Sequence, residues 1–153
     1  MTTADELQFV TFRVGSQEFA LNIFQVERIL RYSKPASLPK SPAYLEGVVQ
    51  YAGGVVPVID LRKRLSVEAK LREETRQMVL ELEGQRVAVV VDQVLEVLRV
   101  DTRTISAPPP MVRGLSADYI SGIISRPGRT IVVLNAGRLF SSTERLALAE
   151  AAS

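Results

Sequence analysis

The side chains that most often carry protein chemistry are missing from this chain. Its 153 residues include no histidine and no cysteine. Without histidine there is no common general base, no common metal ligand, and no Ser-His or Cys-His nucleophile pair. The chain itself cannot carry a phosphohistidine. Carboxylate chemistry remains, but no GxGxxG turn, phosphate loop, EF-hand spacing or nucleophile elbow organises the 17 Asp and Glu residues. No catalytic residue, metal site or cofactor is expected. The stretch that asks for an explanation is Gln50-Tyr51-Ala52, inside GVVQYAGGVVPVIDL from Gly47 to Leu61. It reads either as a turn between two β-branched runs or as a place where the protein meets a partner.

Charge narrows the partner classes. Nineteen cations face 17 anions, for a formal net charge of +2 and a pI near 9.1. The cations fall into separate small groups: Lys34 with Lys40, Arg62-Lys63-Arg64, and Arg126 with Arg129. Aromatics are 6% of the chain and tryptophan is absent. A nucleic-acid footprint usually shows more excess charge, or cations interleaved with exposed aromatics, so no nucleic-acid partner is expected. At 46% hydrophobic and 24% charged, the composition fits one globular unit with an adequate core. The lack of cysteine fits a reducing compartment. The N-terminus MTTADELQ is polar and acidic, unlike a signal peptide. The longest apolar run, Val87 to Val91, is far below the roughly 18–20 residues that span a bilayer. A soluble cytoplasmic protein without membrane insertion is expected.

The elements that must position any contact surface are strands. Phe9 to Val14 and Phe19 to Ile23 flank Gly15-Ser16-Gln17-Glu18 as a hairpin. Met78 to Leu82 and Arg86 to Val91 flank Glu83-Gly84-Gln85, and Ile120 to Ser125 and Thr130 to Leu134 flank Arg126-Pro127-Gly128-Arg129. Helical signals are weaker. Phe24 to Leu30 and Val94 to Leu98 carry apolar residues at helix-like spacing, yet at that length each reads equally as a turn into a strand. Ser141-Ser142-Thr143-Glu144 offers a capping box for a C-terminal helix.

The chain also repeats itself. FRVGSQEFALNIFQVERIL, from Phe12, aligns without gaps on LELEGQRVAVVVDQVLEVL, from Leu80, at an offset of 68. YLEGVVQYAGGVVPVID then aligns on YISGIISRPGRTIVVLN at an offset of 75, pairing Tyr44 with Tyr119, Gly47 with Gly122, Gly53 with Gly128 and Asp60 with Asn135. Each half alone supports only a marginal core, so two halves gain by packing a shared face. The expected fold is mainly β: two small five-stranded barrels with a few short helices and a C-terminal helix. Subdomains over about 10–70 and 78–140 are expected within one domain over 8–140, with strand exchange between them allowed and a tail over 141–153.

With these residues in view, the chain resembles the CheW-like family of bacterial chemosensory adaptors. FVTFRVGSQEFAL, VxxIL, Pro39 with Pro42, and YLEGVVxxxGxVVPVIDLRKRL carry the resemblance in the first half. VVVDQVLEVL, Ala107-Pro108, YISGI and VVLNAGRLF carry it in the second, so it covers Phe9 to Phe140. It implies two intertwined SH3-like barrels and a non-catalytic adaptor. The implied partners are the cytoplasmic tip of chemoreceptors and a CheA-type histidine kinase. An apolar groove would take the receptor's helical hairpin, a recurring recognition mode. Val26, Ile29 and Val97 match apolar positions tied to partner binding, with core packing as the alternative for each. Gly47 matches the family glycine, whose other reading is a backbone intolerant of a side chain. Asp60 matches the PVIDL aspartate and is expected to fix a turn.

Two departures stand out against that resemblance. Where the family reads VxEI, this chain has VERI with Arg28, and where it reads NLRG, this chain has Gln50-Tyr51-Ala52-Gly53. The partner-associated arginine is missing, and its acidic counterpart has reversed sign. Simple drift is one reading. The other is an adaptor that binds receptor but holds the kinase weakly. A ligand- or nucleic-acid-binding double barrel ranks below both.

Overall fold

A computed structural model describes residues 5–108 and 119–140, together with 144, 148 and 150. It contains ten strands: β1 (Glu6–Val14), β2 (Gln17–Asn22), β3 (Val26–Arg31), β4 (Leu45–Tyr51), β5 (Gly54–Asp60), β6 (Arg76–Leu82), β7 (Gln85–Val91), β8 (Gln93–Asp101), β9 (Ile120–Arg126) and β10 (Arg129–Leu134). A four-residue helix, α1 (Leu61–Arg64), follows β5, and 3-10 turns cover Ile23–Gln25, Thr102–Thr104 and Ala136–Arg138. All three expected hairpins form, each closed by two residues. Glu144, Leu148 and Glu150 are helical, and Leu148 is buried. The rest of the expected C-terminal helix lies outside the described residues.

The helical alternative fails at both places where it stood open. Only Ile23–Gln25 turns, and Val26–Arg31 is strand, as is all of Val94–Leu98 within β8. The irregular spacing there comes from a β-bulge in each strand, at Val26/Arg28 and opposite Thr11/Phe12. One extra residue shifts the apolar phase and imitates a helical period.

The strands form two sheets, ordered β8-β1-β2-β10-β9 and β3-β6-β7-β5-β4. Exchanging each strand for its repeat partner (β1 with β6, β2 with β7, β3 with β8, β4 with β9, β5 with β10) converts one order into the other. Each sheet therefore combines a hairpin from one half of the chain with a hairpin and a single strand from the other. The halves 10–70 and 78–140 describe the repeat, whereas the sheets cut across them. In each sheet one pair that joins the halves is parallel, β2 with β10 and β5 with β7, and the other is antiparallel, β1 with β8 and β3 with β6.

Both faces of each sheet are buried, which explains the unbroken run Val87 to Val91. Val87, Val89 and Val91 enter a core shared by the sheets, with Phe12, Phe19, Met78 and Leu80. Ala88 and Val90 face the other way, into a cluster with Val49, Val56, Val58 and Val79. The first sheet has its own cluster around Phe9, Ala20, Ile124 and Ile131. The repeated glycine has a matching cause in both halves. Ala36 bridges to Val48 and Ser106 to Ile123, beside Gly47 and Gly122. A Cβ on Gly47 would lie 2.3 Å from the Ala36 carbonyl oxygen, and one on Gly122 would lie 2.5 Å from the Ile105 side chain.

Candidate partner-binding surface

Gln50 and Tyr51 end β4, and Ala52-Gly53 form the two-residue link to β5, with Tyr51 opposite Gly54. Ala52 and Gly53 have φ of 50° and 80°. Two positive φ values match the type I′ turn that suits strand twist, and alanine is an uncommon residue there. Gln50 and Ala52 are exposed, and Tyr51 is half-buried. The tyrosine ring packs on the interior cluster with Leu30 and Tyr32.

Tyr51 also ties the sheet's two edges together. Its hydroxyl and the Glu27 carboxylate on β3, at the opposite end of the strand order, perturb each other's titration. The first and last strands of a five-stranded sheet meet in this way only if the sheet curls on itself. The Arg86 Nε donates to Glu27 Oε1 at 3.1 Å and lies 3.0 Å from Oε2, and its guanidinium lies 5.6 Å from the Tyr51 ring centre. Glu27 is the bulged residue of β3, and the bulge aims it at this pair. Tyr51, then Arg86, hold the Glu27 carboxyl below its ordinary range, and Glu27 raises the Tyr51 phenol. Sequence reasoning missed Glu27 and Arg86. The signal was an unusual tyrosine at the turn, which implied a hydroxyl partner without naming it.

Arg28 is exposed and has no ion pair among the described residues. Its charge acts on the Tyr51 phenol, so Tyr51 stands between the two departing positions: beside Ala52 in the chain and within the field of Arg28. The apolar positions separate. Val26 is half-buried and packs on the shared core, as does its repeat partner Val94. Ile29 and its repeat partner Val97 are 41% and 53% exposed, on β3 and β8, each an edge strand bordering the shared core. Phe24, not singled out in the sequence, is 88% exposed. Gly47 lies inside β4, where its role is the close approach of Ala36.

The basic cluster after β5 is turned inward. Asp60 caps α1, accepting from the Arg62 backbone N–H at 3.0 Å, which bears out the expected turn. The Arg62 guanidinium, 4% exposed as a residue, meets Asp60 at 3.0 Å, Asp92 at 3.1 Å and the Lys70 carbonyl at 2.7 Å. Burial opposes its charge, but the two carboxylates outweigh that cost and its pKa is raised. Lys63 bonds Glu46, and Arg64 meets Glu144 while lying over the Tyr44 and Phe140 rings. Among the described residues, no group of three or more carboxylates is arranged to hold a metal ion. No helix among them is long and apolar enough to cross a membrane.

Two interlocked five-stranded sheets with apolar residues exposed on their edges define a two-subdomain β scaffold. The chain belongs to the CheW-like domain family, whose profile matches residues 8–144. Among its relatives, a chemotaxis protein CheW of Treponema pallidum is 29% identical over 150 residues, covering 95% of this chain and 88% of that protein. A probable chemotaxis protein CheW of Rhizobium etli is 32% identical over 139 residues, 90% of this chain and 89% of the relative. Protein FrzA of Myxococcus xanthus is 31% identical over 147 residues, 94% and 91% of the two chains. The crystal structure of scaffolding protein TtCheW from Thermoanaerobacter tengcongensis superposes with a TM-score of 0.81 at 27% identity, covering 90% of both chains.

Proposed function

We propose that this chain is a non-catalytic adaptor that couples the cytoplasmic tip of chemoreceptors to a CheA-type histidine kinase, at receptor clusters in the cytoplasm. The family match along nearly the whole chain carries this reading. Ile29 and Val97, exposed on repeat-related edge strands, support it, because an amphipathic helix needs an apolar strip to dock on. The test is a pair of titrations, with the receptor tip and with the kinase's regulatory domain, and binding to neither rejects it.

A second reading, strong receptor binding with weakened kinase binding, is favoured by one observation. Arg28 stands exposed beside Tyr51 where the resemblance calls for a glutamate, and Ala52 lacks the arginine. Restoring both, with Arg28→Glu and Ala52→Arg together, should tighten kinase binding. An unchanged affinity removes these two positions from consideration.

A further inference from the structure

Where β3 ends and β6 begins, Arg31 lies directly opposite Arg76. Like charges facing each other across two strands weaken a sheet, so the fold gains nothing from this pair. The repeat does not impose it either. At the matching place on the first sheet, Arg99 lies opposite the neutral Gln8. A third arginine joins the pair from the loop before β6. Arg72 opens the turn Arg72-Glu73-Glu74-Thr75, which is bonded at both ends. The Thr75 N–H donates to the Arg72 carbonyl at 3.2 Å, and the Arg72 N–H donates to the buried Thr75 hydroxyl at 2.9 Å.

The three arginines line one pocket of about 340 Å³, whose wall includes Tyr32 and Leu71. Their charge is left standing. The Arg76 Nη1 donates to the Glu73 and Thr75 carbonyls at 2.7 and 2.9 Å, which fixes the guanidinium through neutral acceptors and leaves its Nε and Nη2 without a bond. None of the three is in an ion pair among the described residues, in contrast to Arg62 and Arg64. Glu73 is the single carboxylate on the lining, and it pairs with none of them. Three cations against one anion leave two positive charges at a pocket with one guanidinium already held in place.

We propose that this pocket binds the phosphate group of a small soluble phosphate monoester, held by Arg31, Arg72 and Arg76. A phosphate monoester carries about two negative charges near neutral pH, which matches the uncompensated charge. Its oxygens suit the planar donor fork of arginine, and the volume lies near the lower end of the range for small-molecule sites. A lone carboxylate would neutralise only half of that charge. The site needs no protein partner, so its failure and that of the adaptor reading are separate results.

The direct test is an NMR titration of the full chain with methyl phosphate at neutral pH and low salt. The amide and side-chain Hδ resonances of Arg31, Arg72 and Arg76 should shift saturably. Dimethyl phosphate, which adds only a methyl group but carries a single charge, should bind about fivefold or more weakly. Arg31→Gln and Arg72→Gln should each weaken methyl phosphate about fivefold, and the double variant should show no saturation. Arg99→Gln, at the repeat position, should leave the affinity unchanged. Absence of saturable shifts at the three arginines, equal affinity for the two phosphates, or equal losses in Arg99→Gln and Arg31→Gln overturns the proposal. A lipid headgroup is the other source of a phosphate monoester. Phosphatidylcholine vesicles containing phosphatidic acid should sediment no more of the chain than phosphatidylcholine vesicles alone. Extra sedimentation that the double variant loses would assign the pocket to a membrane surface and overturn the soluble ligand.

Discussion

Arg86 lies 5.6 Å from the Tyr51 ring centre and pairs with Glu27 at 3.0 Å, and this bridge joins the last strand of the second sheet to its first. It also links the departing turn to the edge that carries Arg28 and Ile29. The turn quoted at the outset is therefore a turn and a contact at once: its backbone closes the β4–β5 hairpin and its aromatic ring holds the sheet's curl.

The Tyr51–Glu27 interaction has a definite pH window. The Glu27 carboxyl titrates lower folded than unfolded, so its contribution is present above the ordinary glutamate pKa and is lost as pH falls through the lowered value. The Tyr51 phenol titrates higher folded, so its contribution is full below the ordinary tyrosine pKa and is lost as pH rises through the raised value. Tyr51→Phe should flatten both limbs in thermal melts across pH, with a Tm loss of only a few degrees at neutrality. Unchanged limbs in the variant would show that the two groups do not interact.

Asp101 gives a second titration marker, far from that corner. The Arg103 side chain and backbone N–H hold its carboxyl down to about 2. Carboxyl carbon shifts followed by NMR should place its midpoint there, and Arg103→Ala should return it toward the ordinary aspartate range. A midpoint near that range in the wild-type chain would contradict the contact.

Arg62 is the side chain whose loss should cost most among the charges. Arg62→Ala leaves Asp60 and Asp92 facing each other without their cation and frees the Lys70 carbonyl. Breaking a buried pair of this kind costs about 3–5 kcal/mol, measurable by urea unfolding. A loss under about 1 kcal/mol would class the network with surface ion pairs.

Much of this fold was legible because its signals are local. Hairpins announced themselves by turn residues, and the repeat by Gly47 with Gly122. Asp60 was legible as a turn former because its carboxylate acts two residues away. The exchange of strands between halves was not readable from patterning, since parallel pairing of β5 with β7 leaves no mark at short range. The bulges hid for a related reason: one extra residue blurs the period of two, and β3 looked helical. Glu27 and Arg86 are 59 residues apart, and only the curled sheet brings them to Tyr51.

The two repeat glycines should differ in tolerance. Gly47 has φ of 141°, and its added Cβ meets backbone, so Gly47→Ala should destabilise by about 3 kcal/mol or more. At Gly122 the nearest obstacle is the Ile105 Cγ2 methyl, no backbone atom comes closer than 3.3 Å and no positive φ adds strain, so Gly122→Ala should cost less. Equal unfolding midpoints for the two variants would contradict the close approach of Ala36.

Ile29 and Val97 separate binding from folding. Being exposed on edge strands, Ile29→Ser and Val97→Ser should change stability by about 0.5 kcal/mol or less. Each should weaken binding of the receptor tip, and the double variant more than either. Full affinity in the double variant would remove both edges from the interface.

The most direct measurement is calorimetric titration of the wild-type chain with the receptor's cytoplasmic tip and, separately, with the regulatory domain of the cognate kinase. Saturable binding to the receptor tip, together with measurable binding to the kinase domain, is the result expected of a coupling adaptor. Heats indistinguishable from dilution with both partners would contradict it.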